Sequence, residues 1–143
     1  MSIFSVPVSV HLLLIKENKI LLMRRKDTGF ADGFYSMPAG KLEPKESVED
    51  AIIREVKEEI NIDIKNETLK TIQVMNRNGI DRERIDYFFT VDRWNGEIKN
   101  NEPNKCDDLK WFDLDYLPEN TIPYIKEAII NYNKKINFSL FGW

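Results

Sequence analysis

Residues Gly40 to Ile62 read GKLEPKESVEDAIIREVKEEINI, a glycine-led polar loop that runs into a stretch free of glycine and proline beyond Pro44. Ser47 carries the side-chain oxygen an N-cap needs, and Asp50 sits three residues on, where an acid suits a capping box and the helix dipole. Asn61 suits the left-handed position just past a helix end, so the pattern predicts a helix between Ser47 and Asn61. On a helical wheel Val48, Ile52, Val56 and Ile60 form the apolar stripe, Glu59 falls inside it, and Glu55 lies on its flank.

A helix built only for packing does not put carboxylates there, because a buried, unpaired carboxylate is driven to bind a proton. Glu55, Glu58 and Glu59 stand at i, i+3 and i+4 and can converge on one point beside the helix. Clustered anions repel unless a cation sits among them, and an all-oxygen set favours a hard ion, Mg2+ or Mn2+, that accepts phosphate oxygens. A solvated acidic face is the plainer alternative for the segment EVKEE taken alone.

Upstream, valine, leucine and isoleucine dominate Ile3 to Ile15, with Val6, Val8, Val10, Leu12 and Leu14 at every second position. That predicts a strand with one buried face and one mixed face. The polar break Lys16 to Lys19 and the apolar Ile20 to Met23 suggest a hairpin, which ends in Arg24 and Arg25. Asp27 to Gly33 reads as a loop, and Phe34 to Met37 as a short apolar piece stopped by Pro38.

Downstream, Thr68 to Met75 and Arg84 to Val91 read as strands joined by a charged connection, where Arg77, Arg82 and Arg84 suit a hairpin tip. Tyr87, Phe88, Phe89 and Trp94 read mostly as core. Asn100 to Asp108 reads as a polar loop with Cys106 exposed in it, and Leu109 to Phe112 as a short strand. A second helix from Thr121 and Pro123 to about Lys135 places Ile122, Ile125, Ile129 and Tyr132 on one face. The aromatic ending Phe138 to Trp143 suits packing on the core or on a second subunit, which makes a homodimer one expectation. His11, the single histidine, is expected to be packed or solvated.

The chain has 143 residues, enough for one domain with a real core, and a single domain over residues 1–143 is expected. Its net charge of -3, with acids spread along the chain, lacks the basic stripe that a nucleic-acid polymer requires. The lone cysteine excludes an intramolecular disulfide and points to a reducing cytoplasm. No leader pattern or apolar run long enough for a bilayer is present, so no membrane role is expected.

The spacing Gly40, Glu46, Arg54-Glu55-Val56, Glu58-Glu59 and Ile62 resembles the Nudix box, departing from it only at Asn61, where that family has a second glycine. The resemblance implies an α/β (α+β) fold with a mixed β-sheet sandwiched between α-helices. It implies that Glu55, Glu58 and Glu59 bind divalent cations with the carbonyl of Ala39, and that Glu55 is a candidate general base. Gly40, Glu46 and Arg54 would support the turn. Two further matches to MutT-type members lie outside the box: Arg25 falls on a phosphate-binding arginine, and Trp94-Asn95-Gly96-Glu97 is similar to a segment whose acid is a further metal ligand or base candidate.

The implied reaction is metal-dependent hydrolysis of a nucleoside diphosphate linked to another group. The family's ADP-ribose subgroup has a proline beyond the box, and Met75 to Asn78 has none; the dinucleoside polyphosphate subgroup has a tyrosine, and none lies between Arg77 and Arg84. The complete NADH and coenzyme A subgroup motifs are also missing. Together with Arg25 and Glu97, these absences favour a small-molecule nucleoside triphosphate, oxidised or otherwise noncanonical, giving the monophosphate and pyrophosphate. The alternatives are a nucleotide-binding module without turnover and a hydrolase of a nucleoside diphosphate sugar.

Overall fold

The computed structural model describes residues 2–143. The first strand, β1 (Val8–Leu13), is followed by a tight hairpin of β2 (Ile15–Lys16) and β3 (Lys19–Arg25). Glu17 and Asn18 both take left-handed backbone at its turn (φ 53° and 61°), as a two-residue hairpin of matching twist requires. Two short strands, β4 (Tyr35–Ser36) and β5 (Ala39–Lys41), lead into α1 (Val48–Ile60). Beyond a single 3₁₀ turn come β6 (Leu69–Asn78), β7 (Glu83–Val91), β8 (Cys106–Asp113), α2 (Pro123–Asn133) and β9 (Phe138–Phe141).

One sheet has the order β5-β1-β7-β6-β9 and is mixed: β1 runs parallel to β7 and β6 parallel to β9, while β5 and β6 pair antiparallel with β1 and β7. The second sheet is centred on β3, which pairs antiparallel with β2, β4 and β8. This is the mixed α+β arrangement that the resemblance implied.

Both helix ends of α1 follow from side-chain chemistry. The Ser47 hydroxyl accepts a hydrogen bond from the Asp50 amide (3.0 Å), and Asn61 closes the helix in left-handed conformation (φ 68°, ψ 25°). Asparagine therefore does the work of the family's glycine, because its short polar side chain tolerates positive φ. Ala51, Ile52, Val56 and Ile60 are buried. They pack with Val10, Leu12, Leu14, Leu21, Met23 and Phe89 into one of two apolar clusters. The other joins α2 through Ile122, Ile125, Ala128 and Ile129 to Leu13, Ile20, Leu22, Met75 and Phe88.

Several expectations change here for tertiary reasons. Strand β1 is buried on both faces, since one cluster takes Val10 and Leu12 while Leu13 enters the other. His11 is packed, one of its two expected states: it lies between Phe88, on which it stacks with centroids 4.5 Å apart, and the hydroxyl of Tyr124 (3.2 Å). Arg77 does not belong to the exposed hairpin tip. It is buried, paired with the fully buried Asp86 (2.7 Å), and its guanidinium lies 3.7 Å from the centre of the Tyr124 ring. Only Arg82 and Arg84 stay at the tip. Cys106 is buried at the start of β8 rather than exposed in a loop, and α2 ends at Asn133, two residues early. The aromatic ending forms an edge strand: Phe141 packs inward, whereas Phe138 and Leu140 face out. Among the described residues no helix is long and apolar enough to cross a membrane.

Candidate active site

The loop from β5 to α1 is held by one arginine. Arg54 donates through Nε and Nη2 to the two carboxylate oxygens of Glu46 (2.8 and 3.0 Å), and through Nη2 also to the Lys41 carbonyl (3.2 Å). This paired geometry fixes loop against helix, and the guanidinium holds the Glu46 carboxyl below its ordinary value. The remaining nitrogen, Nη1, lies 2.8 Å from Glu55, 3.5 Å from Glu58 and 3.7 Å from Glu43. Gly40 is required by close approach: a Cβ built there would fall on the carboxyl group of Glu55.

Glu55, Glu58 and Glu59 line one cavity of about 570 Å³ together with Ala39, Gly40, Arg54, Arg24 and Arg25. Glu59, the acid that interrupts the apolar stripe, accepts a hydrogen bond from the Ala39 amide (2.9 Å). It has no ion-pair partner among the described residues. Burial pushes its carboxyl well above the ordinary range, with repulsion from Glu55 adding to the effect. Burial also raises Glu55, against the pull of Arg54. Glu58 is half exposed.

Arg25 lines the cavity, but two of its donors are engaged, Nε with the Phe30 carbonyl (2.7 Å) and Nη2 with the Thr28 hydroxyl (3.0 Å). It thereby anchors the loop after β3 at the cavity rim. Arg24, which the sequence did not single out, lines the same cavity and pairs with Asp107 (2.7 Å).

Glu97 does not reach this cavity. The Trp94–Glu97 segment packs beyond the C-terminus of α1: Asn95 pairs with Asp63 through the backbone, and the Asn61 side chain donates to the Glu97 carbonyl (3.1 Å), leaving its carboxylate exposed to solvent. Beyond the three box glutamates, Asp27, Glu43 and Glu102 also line the cavity, and the one whose charge raises both Glu55 and Glu59 is Glu102. Its loop satisfies the carbonyls that end α1: Lys99 N–H donates to Ile60 (3.1 Å), and Asn101 donates through its amide to Glu59 (3.0 Å) and through its side chain to Lys57 (3.3 Å). Nothing local in Asn100 to Asp108 marks Glu102, because its position comes from capping a helix forty residues away.

The donor set is all carboxylate oxygen, and the buried, uncompensated Glu59 needs positive charge, so the residues fit a hard divalent cation. As the side chains stand, no three acids among the described residues close on one point. The Arg54 guanidinium bridges Glu55 and Glu58, and ligation would draw those carboxylates off it.

A family model described as the NUDIX domain matches residues 6–131. The chain belongs to the Nudix family. Its sequence is 34% identical over 112 residues to an ADP-ribose pyrophosphatase of Methanocaldococcus jannaschii, covering 78% of this chain and 64% of the relative. It is 32% identical over 91 residues to an 8-oxo-dGTP diphosphatase of Proteus vulgaris, covering 64% and 80%. The crystal structure of a MutT Nudix hydrolase from Burkholderia pseudomallei superposes with a TM-score of 0.80 at 26% identity, covering 89% of this chain and 98% of that one. The chain thus spans a little under two thirds of the ADP-ribose pyrophosphatase and nearly the whole of the Nudix hydrolase structure.

Proposed function

We propose that this Nudix protein hydrolyses a nucleoside diphosphate linked to another group, and that its substrate is a nucleoside triphosphate cut to the monophosphate and pyrophosphate. The observation that carries this reading is the gathering of Glu55, Glu58, Glu59 and Glu102 around one cavity whose rim also holds Arg24 and Arg25. In the proposed site Glu55, Glu58, Glu59 and Glu102 with the Ala39 carbonyl would hold Mg2+ or Mn2+. An ion bound there would supply charge neutralisation for the phosphates and lower the pKa of an attacking water.

The chain's own residues supply the rest. Arg25, with Arg24 beside it, receives the terminal phosphates, while Glu46 and Arg54 keep the loop and helix in register. Glu55, lodged against Gly40, takes the proton as a water oxygen bonds to phosphorus and the P–O bond bridging the α and β phosphates breaks, separating the monophosphate from pyrophosphate. No covalent enzyme intermediate is needed. Glu97 has no part in this scheme.

The ADP-ribose pyrophosphatase relative supports a second reading, a nucleoside diphosphate sugar as substrate. A panel of triphosphates, oxidised triphosphates and diphosphate sugars, assayed with and without Mg2+ by product analysis, separates the two. We expect monophosphate plus pyrophosphate only with the metal, and a kcat lowered about a hundredfold or more by Glu58→Gln. Absence of metal-dependent turnover of every compound, with the nucleotides nonetheless binding, would leave a binding module instead.

A further inference from the structure

Strand β9 ends the five-stranded sheet and hydrogen-bonds only to β6, so one side of its backbone is unpaired among the described residues. Exposed edges are ordinarily protected by a charge, a proline or a bulge. Phe138-Ser139-Leu140-Phe141 has none of these, and its register with β6 is unbroken. Phe138 and Leu140 are 58% and 61% exposed, and beside them Trp143, 65% exposed, is pinned by its indole N–H to the Asn76 carbonyl (2.9 Å).

The register explains why these side chains are bare. Phe138 lies beside Val74, which pairs with Tyr87, which in turn neighbours Val10. This is the sheet face that α1 covers, but α1 packs on β1 and β5 and leaves the β6–β9 end open. An apolar strip therefore runs from the sheltered core out to a free edge.

We propose that this edge is the interface of a twofold homodimer, in which two β9 strands pair antiparallel with Ser139 opposite Ser139 and unite the two sheets. Antiparallel pairing about a twofold requires opposed residues to share a face, so only residues of like parity can meet. Centring on Ser139 sets Phe138 against Leu140 of the second copy on the α1 face. The same register puts two Ser139 hydroxyls opposite each other. In the single chain that hydroxyl is buried with no hydrogen-bond partner among the described residues, and a turn of its χ1 toward the edge would bring it to the serine of the second copy. Phe138, Leu140 and Trp143 from both copies, with the two edge backbones, bring the contact toward the roughly 1,000 Å² of a specific interface. The strand carries no charge to oppose a like strand.

Sedimentation of the purified protein over a range of concentrations tests the pairing. A dimer is expected that is lost in Leu140→Lys and kept in Tyr116→Lys, a control at an exposed aromatic outside the edge. Circular dichroism should show both variants folded. Ser139→Cys under mild oxidation should yield a covalent dimer, because opposed strand residues lie within disulfide reach, with peptide mapping placing the link between the two introduced thiols. A monomer at every concentration, a dimer indifferent to Leu140→Lys, or a dimer that fails to cross-link through position 139 would each overturn the proposal.

Discussion

Glu59 is the residue in which stability and chemistry are most directly opposed. Its position between Ile52, Val56 and Ile60 on the helix buries a carboxylate whose one hydrogen bond comes from Ala39. A carboxyl raised above its ordinary value of 4.5 contributes stability in its protonated form, fully present below that value and lost as pH rises through the folded value. Glu59→Gln removes the titration. In metal-free buffer we expect the variant to melt above the native protein at neutral pH, with the gap closing as pH falls toward the ordinary carboxylate range. Adding Mg2+ should raise the melting temperature of the native protein and leave the variant nearly unmoved, since a ligand stabilises only the state that binds it. Equal stabilisation of both by Mg2+ would remove Glu59 from the metal set. The misplaced acid was visible in the helical spacing alone, whereas Glu102 was hidden, because no periodicity marks a loop residue aimed by distant hydrogen bonds.

Helix α1 is the element most completely written in local sequence. Its N-cap, its apolar stripe and its left-handed stop each depend on residues within one turn, which is why its two ends fall where Ser47 and Asn61 predict. Ser47→Ala should cost about 1 kcal/mol through the lost cap. The melting temperature should fall by about 2–5 °C, read by calorimetry with the metal absent. A variant as stable as the native chain would mean that the Asp50 amide finds another acceptor. Strand β8 shows the opposite case. It starts three residues before Leu109 and buries Cys106, because its pairing with β3 from Lys19 to Arg25 extends the ladder past the point where hydrophobicity ends.

Through the whole molecule, the covering of one sheet by helices on both faces decides which polar groups are buried. Arg77 and Asp86 stand diagonally across the β6–β7 ladder, where Arg77 faces Arg84 and Asp86 faces Met75, and are sealed beneath α2 with Tyr124 and His11. Asp86→Ala should lower stability by roughly 3–5 kcal/mol by stranding a buried guanidinium. Replacing both, Arg77→Met with Asp86→Leu, should recover a large part of that loss, as urea midpoints would show. A double variant no better than the single one would mean that the Tyr124 stacking, rather than the ion pair, sustains Arg77. From sequence Arg77 is indistinguishable from Arg82, which is exposed, and Arg84, which is partly covered, though all three share a strand-end composition.

The helix with its three glutamates, the arginine clasp on Glu46, the glycine beneath Glu55 and membership of the Nudix family were all written in one stretch of twenty-three residues, because capping, periodicity and close approach act over short chain distances. The approach of Glu102 to the cavity, the buried Arg77–Asp86 pair and the bare edge of β9 were not. Each depends on which segments far apart in the chain come to lie side by side, and on which faces the two helices cover or leave open.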